Sequence, residues 1–378
     1  MFAKLGAACE VYCLSVMKGE RAGLAAAALR EMMRAASHVY SAAAACRNLA
    51  YQRGWLSAFR PDAAVIVSVG NIVAGGTGKT PFTLMLAQAL KQTFCVAILS
   101  RGYRSPAEKL PVPFALRSGN GPLDAAFCGD EPCLLARNLP DVTVYVGANR
   151  LLAATLATQA GAHALILDDA LQHRKLKRDF DVVVVDAHDP FGQGYCLPRG
   201  LLRERPEGFA RAHLIVLNHV KDAAHFRQVK ASLKKYTAAP VMGTQVVFST
   251  LWIAQPHGEN VAEQISAIAG KKIAIFCGIA QPAHFRAALQ ACGGIIVAEL
   301  IAADHIALDL QALQSFAEKA KSQGAQMLVC TEKDYVKLEP AIMLSLPLAW
   351  AQISLRIVEG QEVWEAFIAS VKATKKTK

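Results

Sequence analysis

"SVGNIVAGGTGKTPFTLMLAQAL", Ser68 to Leu90, is the stretch whose reading decides the fold. An apolar, β-branched run, Ala64 to Val69, leads into it, and Thr80 to Leu90 follows with helical spacing, so Gly75-Gly76-Thr77-Gly78-Lys79-Thr80 occupies a strand-to-helix turn. In that context glycines let backbone N–H groups curl around phosphate oxygens and the helix N-terminus adds partial positive charge. Lys79 then reaches the outer phosphates and the Thr80 hydroxyl holds Mg²⁺. Pro81 falls in the first helical turn, where a missing N–H costs little. One feature departs from GxxxxGK[ST]: Val73 stands where the early glycine belongs, and Gly75 and Gly76 are left to supply the loop's flexibility. A glycine-rich surface turn is the competing reading.

Outward from this loop the chain alternates strands and helices. Ala64–Val69, Val96–Leu99, Val142–Val146, Ala164–Leu167, Val182–Val185 and Leu214–Leu217 are mostly continuous apolar runs, the pattern of strands buried on both faces. They predict an α/β fold: a P-loop-type, mainly parallel sheet with helices on both faces. A second, smaller Rossmann-like α/β lobe starts at strand Lys272–Phe276 and continues through helix Ala283–Ala291, strand Ile295–Leu300, helix Leu310–Ser322 and strand Met327–Cys330. The expected organisation is an N-terminal helical segment (1–60), a nucleotide-binding domain (61–240), an extended linker (241–270), whose Val241 to Pro256 stretch also reads as a hairpin, and the C-terminal lobe (271–378).

With 378 residues, 53% of them hydrophobic, the chain buries a sizeable core and is not disordered. Its formal charge of +11 favours polyanionic or phosphorylated partners. The ten cysteines contain no CxxC pair and read as buried small hydrophobes of a reducing compartment. Leu24 to Tyr51 is alanine-rich and proline-free, with Leu29, Met32, Met33, Ala36, Val39, Tyr40 and Ala43 at helical spacing against a stripe of Arg30, Arg34 and His38. Its longest uncharged run, Ala35–Cys46, is too short for a bilayer crossing of roughly 20 residues. Eight Lys or Arg against three Glu up to Arg60 suit an interfacial helix on anionic headgroups; packing on its own domain is the alternative.

Acids complete the picture. Asp168 and Asp169 follow a buried strand, the position from which a P-loop protein meets Mg²⁺, although two aspartates also make a helix cap. Asp186 ends another apolar strand and rivals them; periodicity does not rank the two. Asp130 and Glu131 of "CGDEP" read by themselves as acids on a helix dipole. "LPRGLLRERPEG", Leu197 to Gly208, gathers Arg199, Arg203 and Arg205 around Glu204, either a guanidinium clamp for phosphate or a wet loop. Asp304-His305 is a lone acid–imidazole pair.

The order GNIVAGGTGKTP, SRGYRS, GDEP, GANR, DDALQHRKLKRDFDVVVVDA, GQGYCLPRGLLRE, ADHIAL and TEKD, spread from about Ala50 to Lys337, resembles the tetraacyldisaccharide 4'-kinase family, in which the early P-loop glycine is also displaced. Ala170 and Leu171 stand where the family commonly has Gly and Phe, and Gln193, Arg199 and Gly200 alter its GNG and LPAGP wording. The resemblance implies ATP- and Mg²⁺-dependent phosphorylation of the 4'-hydroxyl of tetraacyldisaccharide 1-phosphate in lipid A biosynthesis, by a peripheral protein on the cytoplasmic face of the inner membrane. It implies Asp130 as catalytic base assisted by His305, Lys79 and Thr80 on phosphates and metal, and Asp168, Asp169 and Glu204 around the metal. The expected partners are the lipid and the anionic membrane surface, not nucleic acid, and a monomer is expected.

Two other classes fit parts of the pattern. A partitioning-type membrane ATPase carries a lysine before GGxGK, where this chain has Ala74; a non-catalytic nucleotide-binding module would bind ATP without turnover. TEKD is not the N/T-K-x-D guanine reader, and no groove-reading nucleic-acid motif is present.

Overall fold

A computed structural model describes residues 12–17, 19–119, 123–255, 260–279, 281–302, 309–338 and 344–374. Helix α1 (Leu24–Gln52) precedes β1 (Val65–Gly70), and α2 (Lys79–Leu90) and β2 (Val96–Ser100) follow. Then come β3 (Phe114–Leu116), α3 (Ala125–Cys128), α4 (Asp130–Asn138), β4 (Thr143–Val146), α5 (Arg150–Gln159), β5 (Ala164–Asp168), β6 (Phe180–Asp186), β7 (Leu214–Asn218) and α6 (Ala223–Leu233). The remainder is β8 (Val241–Ile253), β9 (Val261–Gln264), β10 (Lys272–Cys277), α7 (Pro282–Ala291), β11 (Ile295–Ile301), α8 (Leu310–Ser322), β12 (Met327–Thr331), α9 (Glu332–Tyr335), β13 (Leu348–Glu359) and α10 (Gln361–Ala373).

All thirteen strands form one sheet in the order β11-β10-β12-β13-β8-β7-β6-β1-β5-β2-β4-β3, with β9 on β8. Both halves are parallel inside apart from the short strands β3, antiparallel to β4, and β9, antiparallel to β8, and they meet at the long antiparallel pair β8–β13. Alternate residues of β1 explain the two covered faces: Val65, Val67 and Val69 pack with Phe82, Leu86 and Leu135 on one side, and Ile66 packs with Ala153 and Ala157 on the other.

The mainly parallel α/β fold with a smaller second lobe is as the sequence predicts, with two differences. The segment from residue 241, expected as an extended linker or hairpin, is built into the sheet: strand β8 pairs β7 at Val241–Gly243, β13 along the rest of its length and β9 antiparallel at Thr250–Ile253. The C-terminus also does not stay with the second lobe: β13 runs back along β8, and α10 lays Trp364, Phe367 and Val371 into the first core, the Trp364 ring 5.8 Å from Phe82.

Helix α1 docks by a polar seam onto the loop after β6. Tyr40 donates its hydroxyl to Arg203 O (3.0 Å), Asn48 Nδ2 donates to Glu204 Oε2 (2.9 Å) and Arg205 Nε donates to the Ser41 hydroxyl. Leu24, Met32 and Val39 remain exposed. Among the described residues, no helix is long and apolar enough to cross a membrane.

Candidate active site

The glycine-rich turn is held from the ends of β1 and β7, on either side of β6. Gly78 has φ 86°, and a Cβ there would lie 2.0 Å from Asn218 Nδ2, so both backbone and space demand glycine. Asn218, at the end of β7, donates to Thr77 O (3.2 Å) and accepts the Thr244 hydroxyl (3.2 Å) on Oδ1; Asn71 donates to Thr77 Oγ1 (3.2 Å). Val73 now has its reason. Residues 72–74 pair with 201–203 through Ala74 N to Leu201 O (2.6 Å) and Arg203 N to Ile72 O (2.7 Å), and the valine side chain packs in the cluster of Ile72, Cys196 and Leu202. The displaced glycine makes room for a β-bridge that joins the arginine-rich loop to the phosphate loop.

That bridge delivers Arg203, whose NH1 donates to both oxygens of Asp169 (2.9 Å each). Asp169 lies beside β1 on the next strand's end, in a left-handed turn (φ 45°), and Lys79 Nζ stands 3.7 Å from its Oδ1. Partial burial opposes ionisation of Asp169, but Lys79 and Arg203 outweigh it and hold its pKa below the ordinary value. Its neighbour differs. Asp168 is buried, takes only long hydroxyl bonds from Thr83 (3.3 Å) and Ser100 (3.4 Å), and is pushed up to about 7 by burial, then by the charges of Glu131 and Asp169. Buried Arg150, from GANR, donates to Asp168 O (2.6 Å) and Asp169 O (3.1 Å) and so fixes the turn that aims both carboxylates.

Asp168, with only long hydroxyl bonds, and Asp169 and Glu131, whose charges reach it, make an oxygen-donor neighbourhood of the kind a hard divalent cation takes, its charge offset by Lys79, Arg203 and Arg150. Glu204 does not join it. Expected around the metal, it is buried with both oxygens taken by Arg211 NH2 (2.8 Å each), Oε1 by Gln172 (2.9 Å) and Oε2 by Asn48; it anchors the arginine loop and α1. Thr80 follows Lys79 in the first turn of α2. Asp130 opens α4, and Lys337 from the second half stands 3.6 Å from its Oδ2. His305 lies outside the described residues. Asp186, the rival acid, is on β6 at the opposite side of β1, turned toward His188 and His219 (3.1 and 3.2 Å).

Sequence reasoning gave no role to Asn71, Asn218, Ser100, Arg150 or Lys337. Asn71 sits inside the decisive stretch and Arg150 and Ser100 inside short motifs, but nothing in their spacing tells that they meet.

A buried strand, a glycine turn, a lysine at the helix start and an acid pair on the adjacent strand define a P-loop nucleotide-binding protein of the phosphotransferase kind. The family model described as tetraacyldisaccharide-1-P 4'-kinase (LpxK) matches residues 29–372. The tetraacyldisaccharide 4'-kinase of Anaeromyxobacter dehalogenans strain 2CP-C is 39% identical over 337 residues, 87% of each chain; that of Chlamydia trachomatis serovar D is 33% identical over 320 residues, 83% of each. The crystal structure of LpxK from Aquifex aeolicus in complex with ATP superposes with a TM-score of 0.73 at 26% identity, covering 91% of this chain and 99% of that one. The chain belongs to the tetraacyldisaccharide 4'-kinase family, and its activity is phosphorylation of the lipid A precursor at the 4' position.

Proposed function

We propose that the chain transfers the γ-phosphoryl group of ATP to the 4'-hydroxyl of tetraacyldisaccharide 1-phosphate, acting as a monomer at the cytoplasmic face of the inner membrane. The observation that carries this reading is the convergence of Lys79, Arg203 and the Asp168–Asp169 turn beside a clamped glycine loop. Phosphoryl transfer needs in-line positioning and neutralisation of charge more than covalent catalysis. Lys79 and the loop N–H groups bind the outer phosphates. Thr80, Asp168 and Asp169 would hold Mg²⁺, which when bound neutralises charge on the phosphate oxygens. Asp130, assisted by His305, accepts the 4'-hydroxyl proton as the sugar oxygen bonds to the γ-phosphorus and ADP leaves. The apolar residues exposed on α1 and the basic N-terminal segment suit shallow insertion between anionic headgroups, where the acyl chains of the substrate lie.

The test is transfer of labelled γ-phosphate from ATP to purified tetraacyldisaccharide 1-phosphate in detergent micelles, comparing wild type with Asp130→Ala and Lys79→Ala. Labelled lipid is expected from wild type, with a loss of ~10²-fold or more in either variant. Slow ATP hydrolysis stimulated by empty vesicles, without labelled lipid, would sink the reading.

A further inference from the structure

On the far side of β1 from the acid pair, three side chains converge without a part in the chemistry above. Asp186 closes β6, His188 follows two residues later, and His219 succeeds Asn218 at the end of β7, where Asp186 and Asn218 are register partners. The two turns are tied by Ala187 N donating to Asn218 O (2.9 Å). His219 has a left-handed backbone (φ 61°), a conformation that costs of order 1 kcal/mol for a non-glycine residue and turns its imidazole back over Asp186. His188 Nδ1 lies 3.1 Å and His219 Nδ1 3.2 Å from the same oxygen, Asp186 Oδ1, and one ligand atom of each residue falls within 4.8 Å of the others.

These separations carry chemical information. Ligands about 2.05 Å from a tetrahedral zinc ion are about 3.35 Å apart along each edge. The Asp186–His188 and Asp186–His219 edges are therefore already close to the length that coordination needs, with the third edge left to contract. Two imidazoles and one carboxylate make a borderline donor set, which suits zinc or cobalt and not an oxygen-seeking ion such as Mg²⁺. All three side chains are partly exposed, at 23% (Asp186), 45% (His188) and 31% (His219), so an ion reaches them from solvent and water completes the shell.

We infer that Asp186, His188 and His219 form a transition-metal site of the Zn²⁺ class, separate from the acid pair beside the phosphate loop. The site is coupled to that loop through one residue. Ligation through Nδ1 leaves the His219 proton on Nε2, 3.4 Å from Asn218 Nδ2, so a donor faces a donor. The same Asn218 amide donates to Thr77 O in the glycine turn. Metal occupancy disturbs that clamp, and ATP binding weakens; this consequence rests on the phosphate-loop reading above.

The test uses the full chain with excess Mg²⁺ present. Zn²⁺ is titrated in competition with a chromophoric chelator, and Co²⁺ is followed by its visible absorption, for wild type, His188→Ala, His219→Ala and the double variant. Thermal melts in chelator establish that the variants fold. The expected result is one metal per chain with the intense absorption of tetrahedral cobalt, weakened by more than ~10-fold in each single variant. No binding, or binding undiminished in the double variant, overturns the site. Neither measurement needs kinase activity, so failure of the lipid-kinase reading is told apart. In the kinase assay, Zn²⁺ is expected to raise the KM for ATP in wild type and not in His188→Ala, whose metal-free KM stays unchanged. A Zn²⁺ effect that persists in His188→Ala overturns the coupling through Asn218.

Discussion

The two halves of the sheet contribute to the site in different ways. In the first half, Lys79, Asp168, Asp169, Arg150 and Arg203 are fixed by one another and Asn218 clamps the glycine turn, through bonds made within that half. The second half packs apolar residues such as Trp364 on α2, and its polar and cation–π contacts near the site form a seam on α4, which begins with Asp130. Asn138 at its far end donates to Glu332 Oε1 (2.7 Å) and is bonded by Gln352. Arg137 lies over the Tyr335 ring (4.6 Å) and over Trp350 (5.7 Å), while Lys337 faces Asp130. The polar bonds of the phosphate-binding groups are thus made within one half, whereas the helix that carries the proposed base takes polar contacts from both.

Glu332 is where this difference is most open to attack. Burial pushes its pKa up to about 7 from 4.5, against the pull of the Asn138 hydrogen bond and Arg137, and its second oxygen has no hydrogen-bond partner. Between pH 4.5 and 7 the folded chain holds a proton that the unfolded chain has lost. This contribution is greatest below about 4.5, declines as pH rises through the window and is gone above about 7. The span is at most ~3 kcal/mol, since one pKa unit corresponds to about 1.36 kcal/mol. Glu332→Gln is expected to remove that slope and to stabilise the fold by ~2 kcal/mol at pH 8, read from urea midpoints against wild type at pH 5 and pH 8. Parallel wild-type and variant profiles would mean that the seam leaves this carboxylate hydrated.

Legibility divides along the same line. The parallel strands β1, β2, β4, β5, β6 and β7 were readable because strands buried on both faces are continuous apolar runs, and β1 and β5 lie within a residue of their expected limits, whereas the short antiparallel β3 was not read. Strand β13 escaped notice because its second part carries Gln352, Ser354 and Arg356 beside half-exposed apolar residues, which resembles no buried strand. The seam was invisible for another reason: Asn138 and Glu332 are 194 residues apart and nothing in either motif names its partner. Asp168 and Asp186 had the same local signature, and only the order β6-β1-β5 separates the acid beside the phosphate loop from the acid among histidines. Val73 was legible as an anomaly but not as a contact. Val73→Gly, which restores the ordinary motif, is expected to cost ~2 kcal/mol by emptying a buried site and freeing the backbone, with little change in the KM for ATP. An improved KM for ATP at unchanged stability would show that the valine restrains the loop and does not join it to residues 201–203.

Lys337 gives the smallest and most discriminating effect. Its ammonium lies between Asp334 (3.2 Å) and Asp130 (3.6 Å) and is almost wholly buried, so it ties the second half's TEKD turn to the first residue of α4. Lys337→Ala leaves the glycine turn, Asp169 and Arg203 untouched and removes one of the cross-half contacts on Asp130. A misplacement of a fraction of an ångström at the base is expected to lower kcat by roughly 10-fold, while the KM for ATP stays within a factor of about two. Lys337→Arg, which restores the charge with a different reach, should recover part of that loss. A variant that instead loses ATP affinity at full kcat would place the second half in nucleotide binding and remove the distinction between a half that holds phosphate and a seam that aims the base.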